Sequence, residues 1–522
     1  MTLPLMILLA CPGSTPTGGD TATGTDDTAT PGPSADDTAT RSGTPDCADD
    51  PWWPDADADG FGDPNVTPQT GCERPDSAWV ANARDCDDGN EDAWPGAEEL
   101  CDEADNDCDD QTDEDVSLAT WWVDQDEDGT GDPKGESVER CEQPAGYADN
   151  DLDCDDRDRT SPAFVDTSGT PGASGSMDDP TPSIADAYAG GASCILVNPG
   201  TYLENLALTR GVTITGVGGS AVTTVGPSDQ AAIMTVEFVD TEVKLVGLTL
   251  AEGTGYLSES SSGSTLYELF FAGGIYLYQS KLVLDDVVFR DMRLPQWQST
   301  SSSSGTTYRY GLGAGIYGYY GDVVMTDVAF VRATGAYGAA MYLYYSSLDM
   351  TRVRVDENTA DYAVMELYDV ALHARNLQVA QNVSGYGDSI LAQWGGSADI
   401  AFATFADNQA YGTIDWEWTE GLLTDSIVEG EYYGVLDWYG TGSYDRTNWW
   451  VTYYGNYNGP TANDPGHLFV DPKFESRDLS DLDRAYHLDP GSQCVDYGDR
   501  TLQDHDGTQS DLGAFGGPEA WN

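Results

Sequence analysis

From about residue 183 the chain is built of short apolar runs separated by Gly, Asn, Asp and Ser, and the runs repeat. "GGIYLYQSKLVLDDVVF", "GAGIYGYYGDVVMTDVAF", "GAAMYLYYSSLDMTRVRV", "DYAVMELYDVALHARNLQV" and "GDSILAQWGGSADIAFATF" align on the anchors Ile316, Met341, Met365, Ile390 and Ile414, which recur every 24 or 25 residues. A unit of that length holds two or three short alternating strands. It is too short for a propeller blade, and its period of two excludes a helical repeat. The pattern predicts an all-β solenoid with one coil per unit, whose inward residues stack into a continuous core. From Ile275 to Ile316 the spacing widens to 41 residues, and the Ser-rich stretch Ser299–Gly305 inside that gap reads as a loop inserted in one coil.

The region ahead of the solenoid obeys a different rule. The whole chain carries 91 acidic and 22 basic side chains, a formal charge of −69. Such a balance excludes nucleic acid, which needs Lys and Arg against its phosphates, and it disfavours anionic membrane surfaces. Metal cations, or general acidification for salty water, remain as explanations. Residues 1–165 alone hold 44 of the acids and 7 of the bases, a concentration that favours cations.

Within this region "WWPDADADGFGDP" (Trp52–Pro64) returns as "WWVDQDEDGTGDP" (Trp121–Pro133). Asp55, Asp57, Asp59 and Asp63, and again Asp124, Asp126, Asp128 and Asp132, fall at positions 1, 3, 5 and 9 of an EF-hand-like loop, with Gly60 or Gly129 at position 6 for the turn. Phe61 or Thr130 would offer a carbonyl at position 7. The twelfth-position Glu is absent, since Val66 and Gly135 stand there, so each loop must borrow oxygens. The lenders expected are Asp85, Asp87 and Asp88 after the first copy and Asp153, Asp155 and Asp156 after the second; Asp105, Asp107, Asp109 and Asp113 form a third set at the same spacing. All these ligands are hard oxygens, and His373, His467, His487 and His505 lie elsewhere, so Ca²⁺ fits better than copper or zinc. Isolated Asp-Gly phrases are also common solvated turns.

Ten cysteines are present. Cys11 ends the apolar run "MTLPLMILLAC", which is similar to a bacterial lipoprotein signal and makes Cys11 the lipidation candidate. Residues 12–46, almost all Thr, Gly, Pro, Ser, Ala and Asp, cannot bury a core and read as a disordered stalk. In the acidic region an exported protein would oxidise its thiols; pairs Cys72–Cys86, Cys101–Cys108 and Cys141–Cys154 are expected, leaving Cys47 over, although spacing alone cannot fix connectivity. Cys194 and Cys494 sit in apolar strand contexts and read as unpaired core residues.

Two resemblances follow from these motifs. "DADADGFGD…RDCDDGNEDAWPGAEELCDEADNDCDDQTDED" resembles the metal-binding repeat of bacterial surface proteins, including copper-binding ones of methanotrophs; the second copy stops after "DCDD". That likeness implies a metal-binding surface module, and the missing histidines speak against copper. "SIADAYAGGASCILVNPGTYLENLALTRGVTITGVG" resembles the first coils of right-handed parallel β-helix proteins of the pectate-lyase-like fold, and "LFVDPKF…YHLDPGSQCVDYGD…DGTQSDLGAFGGPEA" a closing segment of secreted members. The expected order is therefore a signal (1–11), a stalk (12–46), acidic Cys-rich metal-binding repeats (47–165) and a right-handed β-helix (166–522).

If Ile275 and Leu277 point inward, Tyr276 and Tyr278 point out. The same register places Tyr317 and Tyr319, Tyr342 and Tyr344, Glu366 and Tyr368, then Asp415 and Glu417 on one outer strip. Such a strip could bind glycan or could simply be an aromatic ladder that stabilises the sheet. Glu366, Asp415 and Glu417 are the only candidates for catalytic carboxylates; Gly-His-Gly and Arg-Ile-Lys signatures of polygalacturonases are absent. The sequence thus points to a monomeric surface lipoprotein, or a secreted protein, that carries structural calcium and contacts polysaccharide or another cell-surface component. Its only route to a membrane would be the N-terminal lipid. A calcium-dependent polysaccharide lyase or glycoside hydrolase is the alternative.

Overall fold

In the computed structural model, residues 50–521 are described except 103, 115, 117, 128, 133, 155–161, 304, 387, 431, 452–453 and 462–463. Cys11, Cys47 and the stalk lie outside them. The chain divides into two compact units, one up to Val116 and one beyond it.

In the first unit the Trp-Trp phrase forms the central strand of a three-stranded antiparallel sheet, Pro51–Pro54 between Gln69–Thr70 and Trp79–Val80. The indole of Trp52 donates to the Gly71 carbonyl (3.0 Å) and Asn82 donates its amide to the Gly60 carbonyl (3.0 Å). A Cβ at Gly62 would collide with Trp53 and Val80 at 2.8 Å, which is why the second glycine of the phrase is needed. The second unit opens with the other copy in the same form: Ala119–Val123 lies between Ser137–Arg140 and Tyr147–Ala148, Trp121 donates to Arg140, and Asn150 donates to Gly129. Each copy folds on its own local bonds.

The rest of the second unit is a right-handed parallel β-helix whose sheet begins at Ala163–Val165, paired with Cys194–Val197. A short helix, Ile184–Ala189, precedes the first coils; Ser183 caps it and the Glu204 carboxylate accepts its Ile184 and Ala185 amides. One coil explains all the others. Ile275–Tyr278 forms the first side and Lys281–Arg290 the next two, bent in its middle at Asp286. Ile275, Leu277, Leu282, Leu284, Val287 and Phe289 are all fully buried. They stack on Ile316, Gly318, Val323, Met325, Val328 and Phe330 of the next coil, with the two Phe rings 4.6 Å apart and nearly parallel. Burial of each large side chain contributes roughly 1.5–3 kcal/mol.

The bends are made by single residues in the left-handed region. Gly247, Asp286, Asp327, Arg352, Asn376, Phe402, Asp425 and Arg446 all have positive φ and stand in register. A non-glycine residue there costs about 1–2 kcal/mol, and neighbours offset part of it. Asp327 holds Arg352 through two 2.7 Å bonds, and Asp425 holds Arg446 at 2.6 and 3.0 Å. Asn376 donates to the carbonyls of Ala514 and Gly516 in the closing segment, which runs back over this side of the solenoid.

Three expectations need correction. The anchor in register with Met365 and Ile414 is Leu391, not Ile390, because the buried amide of Gln393 occupies an inward position and fixes the strand one residue later. The Ser-rich insertion is no loop: Gln298–Ser302 and Gly305–Leu312 form a hairpin that joins a second hairpin, Tyr256–Ser262 with Thr265–Phe271, in one four-stranded sheet. The disulfides observed are Cys86–Cys108 and Cys154–Cys194. They replace all three expected pairs, Cys72–Cys86, Cys101–Cys108 and Cys141–Cys154, because the fold brings residues together over longer loops. Cys72, Cys101 and Cys141 are also oxidised. Cys194 is therefore not a free core thiol, whereas Cys494 is free and buried.

A buried asparagine ladder, unseen in the sequence, ties the coils together. Asn358 donates its side-chain amide to Asn382 (3.0 Å), Asn382 to Asn408 (3.0 Å), and each also bonds a carbonyl of the coil before. Replacing Asn382 by Ala strands the Asn358 amides and the Val355 carbonyl in the core. We expect Asn382→Ala to lower unfolding free energy by about 3 kcal/mol in denaturant titrations; a change within error of wild type would contradict a structural role for the ladder.

Candidate functional site

The acids of the first unit converge. Asp55, Asp57 and Asp88 bring carboxylate oxygens within 4.8 Å of one another, and so do Asp57, Asp59 and Asp85. A second pair of sets is Glu99, Asp105 and Asp107 with Asp107, Asp109 and Glu114. Asp57 and Asp107 are each shared by two sets. The folding of "DADADG" explains the first convergence: the Asp59 carboxylate accepts the Phe61 amide and Asp57 that of Asp59, so alternate carboxylates turn to one side. The "DCDD" phrase is delivered to the same place by the bond from the Asp85 amide to the Gly62 carbonyl, and by Asp88 accepting the Ala56 amide.

These oxygens fit a cation. Asp55 and Asp85 are 5% and 1% exposed, yet each keeps a buried oxygen with no hydrogen-bond donor, as do Asp57, Asp59, Asp107 and Glu114. Loss of water and mutual repulsion raise the carboxyl of Asp85 to about 6 and shift Asp59, Asp88, Asp107 and Glu114 upward. A bound cation would reverse both penalties. Asp63, Asp87 and Asp113 stand outside the four sets; Asp63 instead closes a turn on the Asn65 amide. The Phe61 ring stacks on Trp94. Glu99 and Glu114 were missed, although "PGAEE" and "TDED" carry them. In the second copy Asp124, Thr130 and Asp153 are buried, Asp153 is held by Gly131 as Asp85 is by Gly62, and Asp132 accepts the Lys134 amide. Asp126 is half-buried beside them, whereas Asp128, Asp155 and Asp156 lie outside the described residues.

The second site is one face of the β-helix, where four aromatic columns run side by side along the axis. The first joins Tyr276, Tyr317, Tyr342, Glu366, Ala392 and Asp415; the second joins Tyr278, Tyr319, Tyr344, Tyr368, Trp394, Glu417 and Trp438. Centroids within a column lie 4.6–6.1 Å apart, close to the strand spacing. The slip to Leu391 is what places Trp394 in the second column and the small Ala392 in the first, between Glu366 and Asp415. Neither flanking column was legible. Before the strands come Tyr337, Tyr362, Tyr386, Tyr411, Tyr432 and Tyr454, one per coil, with Tyr337 and Tyr362 stacked at 4.2 Å. After the strands, at the first bend, come Phe238, Tyr320, Tyr345, Trp418 and Tyr439, all with positive φ and all exposed. Within this edge Tyr320 stacks on Tyr345 at 5.3 Å and Trp418 on Tyr439 at 4.8 Å, so ring contacts between coils offset part of the cost of the left-handed backbone.

Polar groups punctuate the face. The hydroxyl of Tyr342 bonds that of Tyr344 (2.7 Å), Tyr368 donates to Glu366 (2.8 Å), and Trp394 donates to Glu417 (2.6 Å). Glu366 is 1% exposed with one oxygen unpartnered, and burial raises its carboxyl to about 8. Burial, with Asp388, Glu417 and Asp437 nearby, raises Asp415 to about 7. At the N-terminal end the hairpin sheet walls the face: Tyr256, Ser258 and Phe271 with Thr235, Glu237, Tyr276 and Tyr317 line a cavity of about 510 Å³.

Residues 85–114 match the family described as "Putative metal-binding motif" of the Cu-binding MopE type. The chain is similar to two crystal structures of the pectin methylesterase from Aspergillus niger, one deglycosylated (13% identity, TM-score 0.28) and one penultimately deglycosylated (12%, 0.26), each alignment covering 59% of this chain and 90% of the other. No curated protein matches it. The chain therefore joins a metal-binding motif to a parallel β-helix.

Two outcomes are expected. Asp57→Asn and Asp107→Asn, each removing an oxygen from two sets, should weaken metal uptake, probed by calorimetry with a divalent cation, at least tenfold, about 1.4 kcal/mol, while Asp63→Asn should change it little; equal effects would contradict the shared-ligand geometry. The folded chain holds the Glu366 proton up to about pH 8, against an ordinary value of 4.5. Its contribution therefore favours folding at acid pH and is lost as pH rises through that window. Glu366→Gln should flatten the fall in Tm between those limits; an unchanged pH profile would refute the buried proton.

Proposed function

We propose that this is an exported surface protein whose acidic module is organised by structural calcium and whose β-helix binds polysaccharide along the aromatic face. The observation that carries the reading is the run of four aromatic columns at coil spacing. Stacked rings at that interval offer a row of edges and hydroxyls one coil apart, which suits successive units of a sugar chain lying along the axis, and the carboxylates among them suit hydroxyl groups. Calcium is favoured over softer metals because every converging ligand is a carboxylate oxygen and Cys86 and Cys108 are tied in a disulfide. Its chemistry there would be charge neutralisation that lets the acids pack, so binding and folding of the module would be coupled. Lipid attachment at Cys11 would hold the chain at the outer face of a bacterial envelope.

One arrangement favours a second reading, a glycoside hydrolase or lyase. Glu366 and Asp415 flank Ala392 two coils apart, roughly 9–10 Å along the sheet, and Glu366 keeps its proton at neutral pH, as a general acid must. Against it, Glu366 is almost wholly covered.

A glycan array followed by titration of the hits tests the proposal. Tyr368→Ala and Trp394→Ala should each weaken binding about tenfold or more, 1.4 kcal/mol, with the fold intact. Absence of any glycan binding would refute the first reading. Release of reducing ends or unsaturated products that disappears in Glu366→Gln or Asp415→Asn would replace it with the second.

A further inference from the structure

Among the described residues, no Lys or Arg pairs with the acids of the aromatic face. Glu237, Glu366, Asp415 and Glu417 stand in the two inner columns, and no Lys or Arg stands in either. Asp388, just ahead of the strand Ser389–Ala406 that carries Ala392, raises the carboxyls of both Glu366 and Asp415 by its charge. Among the described residues, the Arg and Lys nearest the hairpin wall and the first bend are already engaged, Arg309 by Glu268 and Lys281 by Glu242. The site also differs from the N-terminal acids: no three carboxylate oxygens here converge as those do, so a divalent cation is a poor fit. What remains is a cluster of acids, half-buried Asp388, Asp415 and Glu417, at the Trp394 end of the ring stack, where the last stacked ring keeps one face clear of another ring, with a buried, unpartnered oxygen on Glu366 and another on Asp415. Carboxylate and aromatic groups together are the surroundings that stabilise an ammonium ion, by charge pairing and by cation–π attraction. A polyuronate chain would instead bring carboxylates against carboxylates.

We infer that the polysaccharide bound on this face carries free amino groups, as glucosamine-type units do, and that Asp388, Asp415 and Glu417 pair with them. The inference rests on the glycan-binding reading above and narrows it. An ammonium on the face of Trp394 turned away from Tyr368 would reach Glu417, which the Trp394 indole already orients.

The test is calorimetric titration of the full chain at neutral pH, where Asp415, raised to about 7, is ionising, and at fixed salt, with three hexasaccharides: glucosamine, its N-acetylated counterpart and galacturonate. The glucosamine hexamer should bind at least tenfold tighter than the N-acetylated one, and galacturonate should not bind. Asp415→Asn/Glu417→Gln should abolish the tenfold preference. Asp349→Asn/Glu259→Gln, which removes the same charge from exposed positions off the columns, should preserve it and so exclude general attraction of a polycation. Equal affinity for the two glucosamine forms, tight galacturonate binding, or loss of preference in both double variants would overturn the inference while leaving glycan binding intact. Failure of every saccharide to bind would overturn both.

Discussion

Every feature of the β-helix depends on one constraint: successive coils must stack in register at the strand spacing. Once Ile275 sits over Ile316 and Phe289 over Phe330, each coil position becomes a column. Inward columns fill with Ile, Leu, Val, Met and Phe. Bend columns collect residues held at positive φ by their neighbours, and the buried Asn358–Asn382–Asn408 column fixes spacing through amide bonds. The outer columns fill with aromatic residues that stack from coil to coil, and Trp418 and Tyr439, stacked at 4.8 Å, still stand 64% and 72% exposed.

The chain holds its acids in two different ways. In the N-terminal unit, carboxylates turn inward on tight Asp turns until their oxygens lie within 4.8 Å of one another, a geometry that a bound cation or a proton relieves. On the β-helix, acids stand among the rings at Glu366 and, two coils on, at Asp415 and Glu417, and Glu366 meets its burial by keeping a proton. The first arrangement draws carboxylate oxygens together; the second spaces the acids along the columns.

The sequence revealed this architecture where its own period was clean. The alternation through Tyr276, Tyr317 and Tyr342 yielded the coil, its inward face and the two inner columns, and the Asp-x-Asp-x-Asp-Gly phrases yielded the loops and their "DCDD" partners. It failed where a local residue broke the pattern. Gln393, buried with its side-chain nitrogen donating to three carbonyls, disguised the register and hid Trp394. The outer aromatic columns escaped because they sit in turns and bends, where a period of two says nothing. Glu99 and Glu114 lie close in sequence to Asp105, Asp107 and Asp109 but off the 1-3-5-9 spacing, so that pattern passed over them, whereas Cys154–Cys194 spans 40 residues and no local spacing encodes it.

A crystal structure of the chain with a bound oligosaccharide tests the central claim most directly. The account predicts sugar rings lying along the axis over Tyr342, Tyr368 and Trp394, at the interval of the coils. Density for the saccharide on another side of the solenoid, with these rings bare, would contradict it.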